Sequence, residues 1–158
     1  MTSFSHLDKD GGLSMVDVSS KPDTRRIAIA EAVVELAPET LDLLKRAALP
    51  KGDVLTCAKV AGIMAAKRTS ELIPMCHPIP IDGIEVELQP AGGEQVRIVS
   101  TLRCTYKTGI EMEALTAASV AALTVYDMCK AIDRSMRIDE VLLLHKEGGK
   151  SGTFDRTE

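Results

Sequence analysis

The stretch that decides the fold of this chain is residues 107–131, KTGIEMEALTAASVAALTVYDMCKA. It predicts one helix, and the middle of that helix is apolar, small or hydroxyl-bearing throughout. Charges lie only at its ends, with Glu111 and Glu113 early and Asp127 and Lys130 late. A helix that is uncharged on every side is typical of a buried helix. Its terminal charges must therefore meet solvent, a partner subunit or a substrate.

The segments around this helix complete an α+β pattern. Ile- and Val-rich or alternating runs predict strands, and a Gly-Gly turn between two of them predicts a hairpin. The predicted elements are, in order, a strand at 25–36, helices at 38–49 and 53–72, strands at 84–88 and 96–102, the helix at 107–131 and a buried strand at 141–144. With the first two helices taken as one crossover, this is the βαββαβ order of ferredoxin-like folds. We expect a mostly antiparallel sheet with helices on one face.

The chain length of 158 residues fits one domain with irregular ends. We expect an extended N-terminal arm at residues 1–24 and a ferredoxin-like catalytic domain at 25–147. Residues 148–158, GGKSGTFDRTE, predict a flexible glycine-rich tail.

Composition excludes several classes of function. A net charge of −4 and 3% aromatic residues argue against nucleic-acid binding. No apolar run reaches the ~20 residues of a membrane span, and the N-terminus shows no export signal. The four cysteines form no CxxC pair, which favours reduced thiols and a cytoplasmic protein.

The two ends of the long helix hold the first candidate site residues. Thr108 and Glu111 fit a capping box, which would explain Glu111 without catalysis. Glu113 has no such explanation, and an ordinary first-turn acid is about as probable as a functional one. Asp127 and Lys130 are neighbours at i,i+3, either as a surface ion pair or as a desolvated acid/base pair.

The spacing along this helix predicts a site at a subunit interface. Glu113 and Asp127 lie on one face, 14 residues apart, which at ~1.5 Å per residue is roughly 21 Å. One compact ligand cannot readily reach both from a single helix, so each would come from a different subunit. Gly62 and nearby alanines also predict a smooth helix face suited to close packing, including packing across such a boundary.

Other candidates lie in loops. Lys51, Gly52 and Asp53 precede a helix and could bind an anion, although a routine cap is twice as probable. The segment Met75-Cys76-His77 lies between prolines and predicts a rigid binding loop, whereas its spacing is poor for zinc and a cysteine nucleophile is only conceivable. Gly149-Lys150-Ser151 lacks the rest of a P-loop. The remaining side chains whose positive charge could balance a bound phosphate are Lys67, Arg68 and Lys146.

Several motifs, in this order, resemble the cyclic pyranopterin monophosphate synthase family. They are Met15-Val-Asp-Val-Ser, Lys51-Gly-Asp-Val, Gly62-Ile with Ala65-Ala-Lys-Arg-Thr, Leu72-Ile-Pro-Met-Cys-His-Pro, residues 107–131 and the closing Gly-Gly-Lys-Ser-Gly. The resemblance covers about residues 6–154.

The resemblance implies a reaction and an assembly. Family members convert 3′,8-cyclo-7,8-dihydroguanosine 5′-triphosphate, supplied by a radical GTP cyclase, into cyclic pyranopterin monophosphate and diphosphate. It implies a homohexamer built as a trimer of dimers, with each active site at a subunit interface. It implies Asp127, Lys130 and Lys51 as catalytic residues. Implied substrate contacts are Met75, Cys76, His77, Met112 and Glu113, and we add Lys67 and Lys146 as candidates for phosphate charge.

We expect no resident cofactor and no metal site, although magnesium could accompany the triphosphate. Two other functions stay open from the residues alone. One is a non-catalytic ferredoxin-like module that binds nucleotides or regulates. The other is a purely structural interaction protein that docks through its Ala/Gly helix face.

Overall fold

The structure is a computed structural model, and it describes residues 11–157. Its elements are β1 Thr24–Glu35, α1 Pro38–Lys45, α2 Val54–Ala66, α3 Thr69–Leu72, β2 Gly83–Ala91, β3 Gln95–Tyr106, α4 Glu111–Cys129, β4 Arg137–Glu147 and β5 Phe154–Asp155. The strands form one sheet in the order β2-β3-β1-β4-β5, with every pairing antiparallel. The predicted ferredoxin-like α+β fold is therefore confirmed.

The centre of the sheet is β1, which pairs with β3 along its whole length and with β4 on its other side. The hairpin of β2 and β3 turns at Gly93, whose φ of 75° lies in the left-handed region that glycine tolerates. Side chains that point to the helical layer alternate along the strands, as in Val96, Ile98 and Leu102 of β3, and are fully buried. This alternation fixes which face of the sheet receives the helices.

The helical layer depends on small residues where α2 crosses α4. A Cβ atom on Gly62 would lie 2.9 Å from the carbonyl oxygen of Ala117 and 3.3 Å from the Cβ of Ala121. These contacts are within the chain, so the close packing predicted for Gly62 joins two helices of one subunit. On the sheet side, the Ser100 hydroxyl donates to the carbonyl oxygen of Ala114 at 2.7 Å and ties α4 to β3.

Several predicted elements need correction. The helix at 107–131 begins at Glu111 and is not buried all round, since Leu123 on its outer face is 57% exposed. The predicted helix at 53–72 ends at Ala66, and α3 forms a separate turn after it. The last main strand is longer than predicted and half-exposed, with Val141 at 41% exposure.

The two ends of the chain are described only from residue 11 and up to residue 157. Within residues 11–23 the arm carries no helix, and its first ten residues lie outside the described part. The short strand β5, which the sequence does not predict, pairs with His145 and Lys146 of β4. No helix between residues 11 and 157 has the length and apolar character needed to cross a membrane.

The Gly62 contact generates a test of the fold. Gly62→Leu should lower the free energy of unfolding by about 1–3 kcal/mol or more, because a side chain must displace the α4 backbone. Lys59→Gln, at an exposed position of the same helix, should change it by less than about 0.5 kcal/mol. Urea unfolding monitored by circular dichroism measures both, and equal stability of the two variants would contradict this packing.

Candidate functional site

A cavity of about 440 Å³ lies where the Pro-framed loop, the arm and the start of α4 meet. We call it the loop pocket. Its size suits a fused heterocycle, since small-molecule sites commonly occupy 300–1,000 Å³. Three prolines keep the loop extended and irregular, as predicted. Of the seven predicted substrate-binding residues, the pocket brings together five, which are Met75, Cys76, His77, Met112 and Glu113.

His77 ties the arm to the loop pocket. Its Nε2 lies 2.8 Å from the carbonyl oxygen of Val16, and Val16 lines the same cavity. A carbonyl oxygen only accepts, so Nε2 must carry the hydrogen and donate. The ring therefore has only Nδ1 left for a ligand. The first role of His77 is to hold the arm against the loop.

Glu113 is buried in the wall of the loop pocket. Only 3% of it is exposed, and its Oε2 has no hydrogen-bond partner within residues 11–157. Burial raises the pKa of this carboxyl to about 7, and the negative charge of Glu111 adds to the rise. Glu113 is therefore not an ordinary solvated first-turn acid, because it is buried and lines a cavity.

Cys76 faces the same pocket with an unactivated thiol. Burial raises its pKa, and the charge of Glu113 raises it further. A nucleophilic cysteine requires the opposite shift, because the thiolate is the reactive form. The structure thus favours the binding-loop interpretation of this segment.

A second cavity of about 420 Å³, which we call the basic pocket, adjoins the loop pocket. Both cavities are lined by Lys21, Thr108 and Gly109, so one extended ligand can occupy the two. The cations that line the basic pocket are Lys21, Arg26, Lys107, Lys146 and Lys150. This concentration of positive charge can hold a polyphosphate although the whole chain is acidic.

Three of these cations were missed as site residues by the sequence analysis, namely Lys21, Arg26 and Lys107. Arg26 reaches the pocket from β1, where its Nε donates to the carbonyl oxygen of Tyr106 at 2.9 Å. Lys107 follows the strand paired with β1, and its Nζ donates to the carbonyl oxygen of Ser19. Their proximity results from the register of β1 with β3, which a local pattern does not show. The one available signal was that Lys107 opens the 107–131 motif.

The predicted capping box is wrong. The N-cap of α4 is Ile110, which has no side chain able to cap, and Thr108 lies before it. Glu111 instead accepts a hydrogen bond from Lys146 Nζ at 2.6 Å, with both side chains about three-quarters buried. The predicted phosphate ligand Lys146 is thus in the basic pocket, where a carboxylate of α4 partly neutralises it.

A third group of predicted residues lies at the far end of α4. The carboxylate of Asp127 is 2.7 Å from Lys130 Nζ and 3.3 Å from Lys51 Nζ, and we call these residues the Asp127 cluster. Lys51 also donates to the carbonyl oxygen of Asp127 at 3.0 Å. Asp53 caps α2, as predicted, by accepting from the backbone N–H of Thr56. The Lys51 ammonium is therefore bonded to Asp127 at the end of α4.

Contacts within the Asp127 cluster favour the charged forms of its side chains. Hydrogen bonds from Lys130 and then Lys51 lower the pKa of Asp127, and Asp127 in turn raises the pKa of Lys130. Of the two alternatives that the sequence left open, the single chain shows the surface ion pair, because 57% of the Asp127 side chain is exposed. At neutral pH the cluster holds a carboxylate base beside a protonated amine.

The structure thus divides the predicted site residues between the two ends of α4. Glu113 at the first end and Asp127 at the last are separated by 14 residues, or roughly 21 Å of helix. Lys67 belongs to neither group, since it is exposed after the last turn of α2 and lines neither pocket. Residues 11–157 contain no group of three or more His, Cys, Asp or Glu side chains suited to a metal.

The chain is similar in sequence to known proteins. The model of the MoaC family matches residues 15–149. A cyclic pyranopterin monophosphate synthase of Desulfovibrio desulfuricans is 55% identical over 155 residues, covering 98% of this chain and 95% of the relative. Proteins of the same name from Herpetosiphon aurantiacus and Thermomicrobium roseum are 55% and 52% identical, covering 96% and 100% of this chain and 93% and 96% of the relatives.

The raised pKa of Glu113 predicts a pH-dependent stability. The folded chain holds this proton up to about pH 7, whereas an unfolded chain releases it near its ordinary value of about 4.3. Stability from this group is therefore complete below the unfolded pKa and is lost as the pH rises through the folded pKa. Glu113→Gln should be more stable than wild type at about pH 8, by up to ~3 kcal/mol, and gain much less at about pH 4.

Thermal unfolding across this pH range measures the difference between variant and wild type. The exposed Glu87→Gln serves as the control and should show no such pH-dependent gain. A gain for Glu113→Gln that is the same at both pH values would mean that Glu113 ionises normally in the folded chain.

Proposed function

The chain belongs to the MoaC family, and from this premise we propose that it converts 3′,8-cyclo-7,8-dihydroguanosine 5′-triphosphate into cyclic pyranopterin monophosphate and diphosphate. This is a phosphorus-oxygen lyase reaction and an early step of molybdenum cofactor biosynthesis. The observation that carries the proposal is a heterocycle-sized pocket continuous with a basic pocket. A non-catalytic nucleotide-binding or regulatory module, the alternative, has no support among the relatives.

The substrate fits the two pockets by its chemistry. Its guanine-derived rings match the loop pocket, whose walls are apolar except for a few groups such as Glu113 and His77. Its triphosphate matches the basic pocket, where several cations can balance the phosphate charges. Magnesium, where it takes part, would enter with the triphosphate. The substrate must come from the radical GTP cyclase that forms it, and we place both enzymes in the cytoplasm.

The reaction requires proton transfers and then a phosphoryl transfer. Opening and reclosing the guanine-derived ring moves protons on ring nitrogens, which suits the Asp127 carboxylate as acceptor and the Lys130 ammonium as donor. A sugar hydroxyl then attacks the α-phosphorus, the bond from α-phosphorus to its bridging oxygen breaks, and diphosphate leaves. Lys51 and Lys146 can stabilise the developing negative charge on these oxygens.

We propose that a second subunit completes each site. The Asp127 cluster and the loop pocket lie roughly 21 Å apart along α4, so one ligand contacts both only if they come from different chains. The exposed apolar side chains Val60, Met64 and Leu123, from α2 and α4, offer surface that such a contact can bury. The expected assembly is a homohexamer arranged as a trimer of dimers.

The assigned role of Asp127 can be tested directly. Asp127→Asn should lower turnover of the cyclised GTP derivative by about 10²–10⁴-fold, because the amide cannot accept a proton. The control is Asp42→Asn, which alters an exposed ion pair with Arg46 and should leave turnover unchanged. Product and diphosphate formation measure the effect, and normal turnover by Asp127→Asn would exclude the proton-accepting role.

The interfacial site predicts complementation between two inactive variants. Asp127→Asn damages the cluster and Lys146→Met damages the basic pocket, and each alone should have little activity. When the two chains are co-expressed with different tags and purified as mixed oligomers, about a quarter of the sites should combine one intact half from each chain. Activity near a quarter of wild type supports the interface, whereas inactive mixed oligomers would place both halves in one chain.

A further inference from the structure

We propose that Glu113 gives up its proton when a heterocycle with two adjacent N–H donors binds in the loop pocket, so that ligand capture releases a proton to solvent. The inference rests on the proposed function, because the guanine-derived ring of that substrate carries such an edge in its ring N–H and exocyclic amino group. It goes further by assigning a proton balance to the binding step, through Glu113, which the resemblance gives only as a substrate contact.

The geometry supplies the acceptor. Glu113 projects from the first turn of α4 into the wall of the loop pocket and is almost fully buried. Its Oε2 finds no hydrogen-bond partner within residues 11–157. A buried polar atom without a partner is costly, and native proteins normally satisfy such atoms. The pocket beside this oxygen is where a ligand N–H can satisfy it.

The groups around Glu113 do not supply a counter-charge of their own. On α4 its neighbour is Glu111, whose negative charge opposes ionisation of Glu113. The loop contributes Cys76 and His77, the arm contributes Lys21, and β3 contributes the buried Cys104. No hydrogen bond or ion pair joins any of these side chains to Glu113 in the described structure. The empty pocket therefore favours the neutral acid, in agreement with its raised pKa.

A ligand edge with two N–H donors reverses this preference. A carboxylate has two oxygens that can accept from a ring N–H and a neighbouring amino group at once, as it does from the two donors of a guanidinium. Hydrogen bonds to an ionised acceptor are roughly twice as strong as neutral ones. Binding thus breaks the O–H bond of the Glu113 carboxyl and sends the proton to the buffer, with no covalent bond formed to the ligand.

Three nucleotides with the same triphosphate separate this edge from phosphate binding. GTP carries both donors, inosine triphosphate lacks the amino group, and ATP presents a ring acceptor in place of the ring N–H. We expect GTP to bind most tightly and to release about half a proton at pH 7, because the free carboxyl is then about half protonated. Inosine triphosphate should release less, and ATP should release none.

Calorimetric titration in two buffers with different ionisation enthalpies, such as Tris and PIPES, counts the protons. Between about pH 8 and about pH 6 the affinity for GTP should fall roughly tenfold, because a growing share of Glu113 must first ionise. Glu113→Gln should abolish the release that depends on GTP and remove most of this pH dependence. His77→Gln should keep the release, which separates the carboxyl from the imidazole.

Lys150→Met is the matched control in the basic pocket. It should weaken all three nucleotides alike and leave the proton count with GTP intact. Proton uptake, an equal count in wild type and Glu113→Gln, or no binding of GTP at millimolar concentration would overturn the inference.

A separate assay distinguishes this result from the proposed function. Wild-type chain that forms product from the cyclised substrate but releases no proton with GTP would refute the role of Glu113 and leave the reaction standing. Proton release without any product would do the reverse.

Discussion

The close contact of α4 with the sheet and with α2 is the constraint on which the other features depend. Alanines on one face of α4 let its backbone lie near Gly62, and Ser100 fixes the helix to β3 by a hydrogen bond. Because the helix is packed against both α2 and the sheet, its two ends are held at a fixed separation. The first turn forms a wall of the loop pocket, and the last turn presents the Asp127 cluster.

The two ends give carboxyl groups of the same chemistry opposite protonation states. Glu113 is enclosed by apolar walls and a like charge, so its pKa is raised toward neutrality. Asp127 accepts hydrogen bonds from two lysines, so its pKa is lowered. Equivalent side chains thus start from different protonation states before any ligand binds, because their surroundings differ. The fold, through α4, determines which acid receives which surroundings.

Local patterns were sufficient for most of the fold and for part of the site. Alternation and turn glycines predicted the hairpin and the central strand, and the prolines predicted the rigid loop that holds Met75 to His77. The errors have one physical source, which is contact between residues distant in sequence. Glu111 pairs with Lys146 from β4 and so leaves the predicted cap, and Arg26 reaches Lys107 only through strand register. Exposure of Leu123 was mispredicted because the sequence does not show which neighbour covers an uncharged face.

That uncharged exposed face and the exposed Asp127 cluster point to the same conclusion. In water, two unit charges 4 Å apart interact by only about 1 kcal/mol, whereas at an effective dielectric constant of about 20 the figure is about 4. In solvent, the two lysines and a charged substrate would therefore interact only weakly with the Asp127 carboxylate. A second subunit seated on the apolar face of α2 and α4 would exclude water from the cluster and bring it a substrate held by its own loop pocket. If the site is interfacial as proposed, assembly would be part of the catalytic apparatus, because it would supply the low-dielectric surroundings that Asp127 lacks in the single chain.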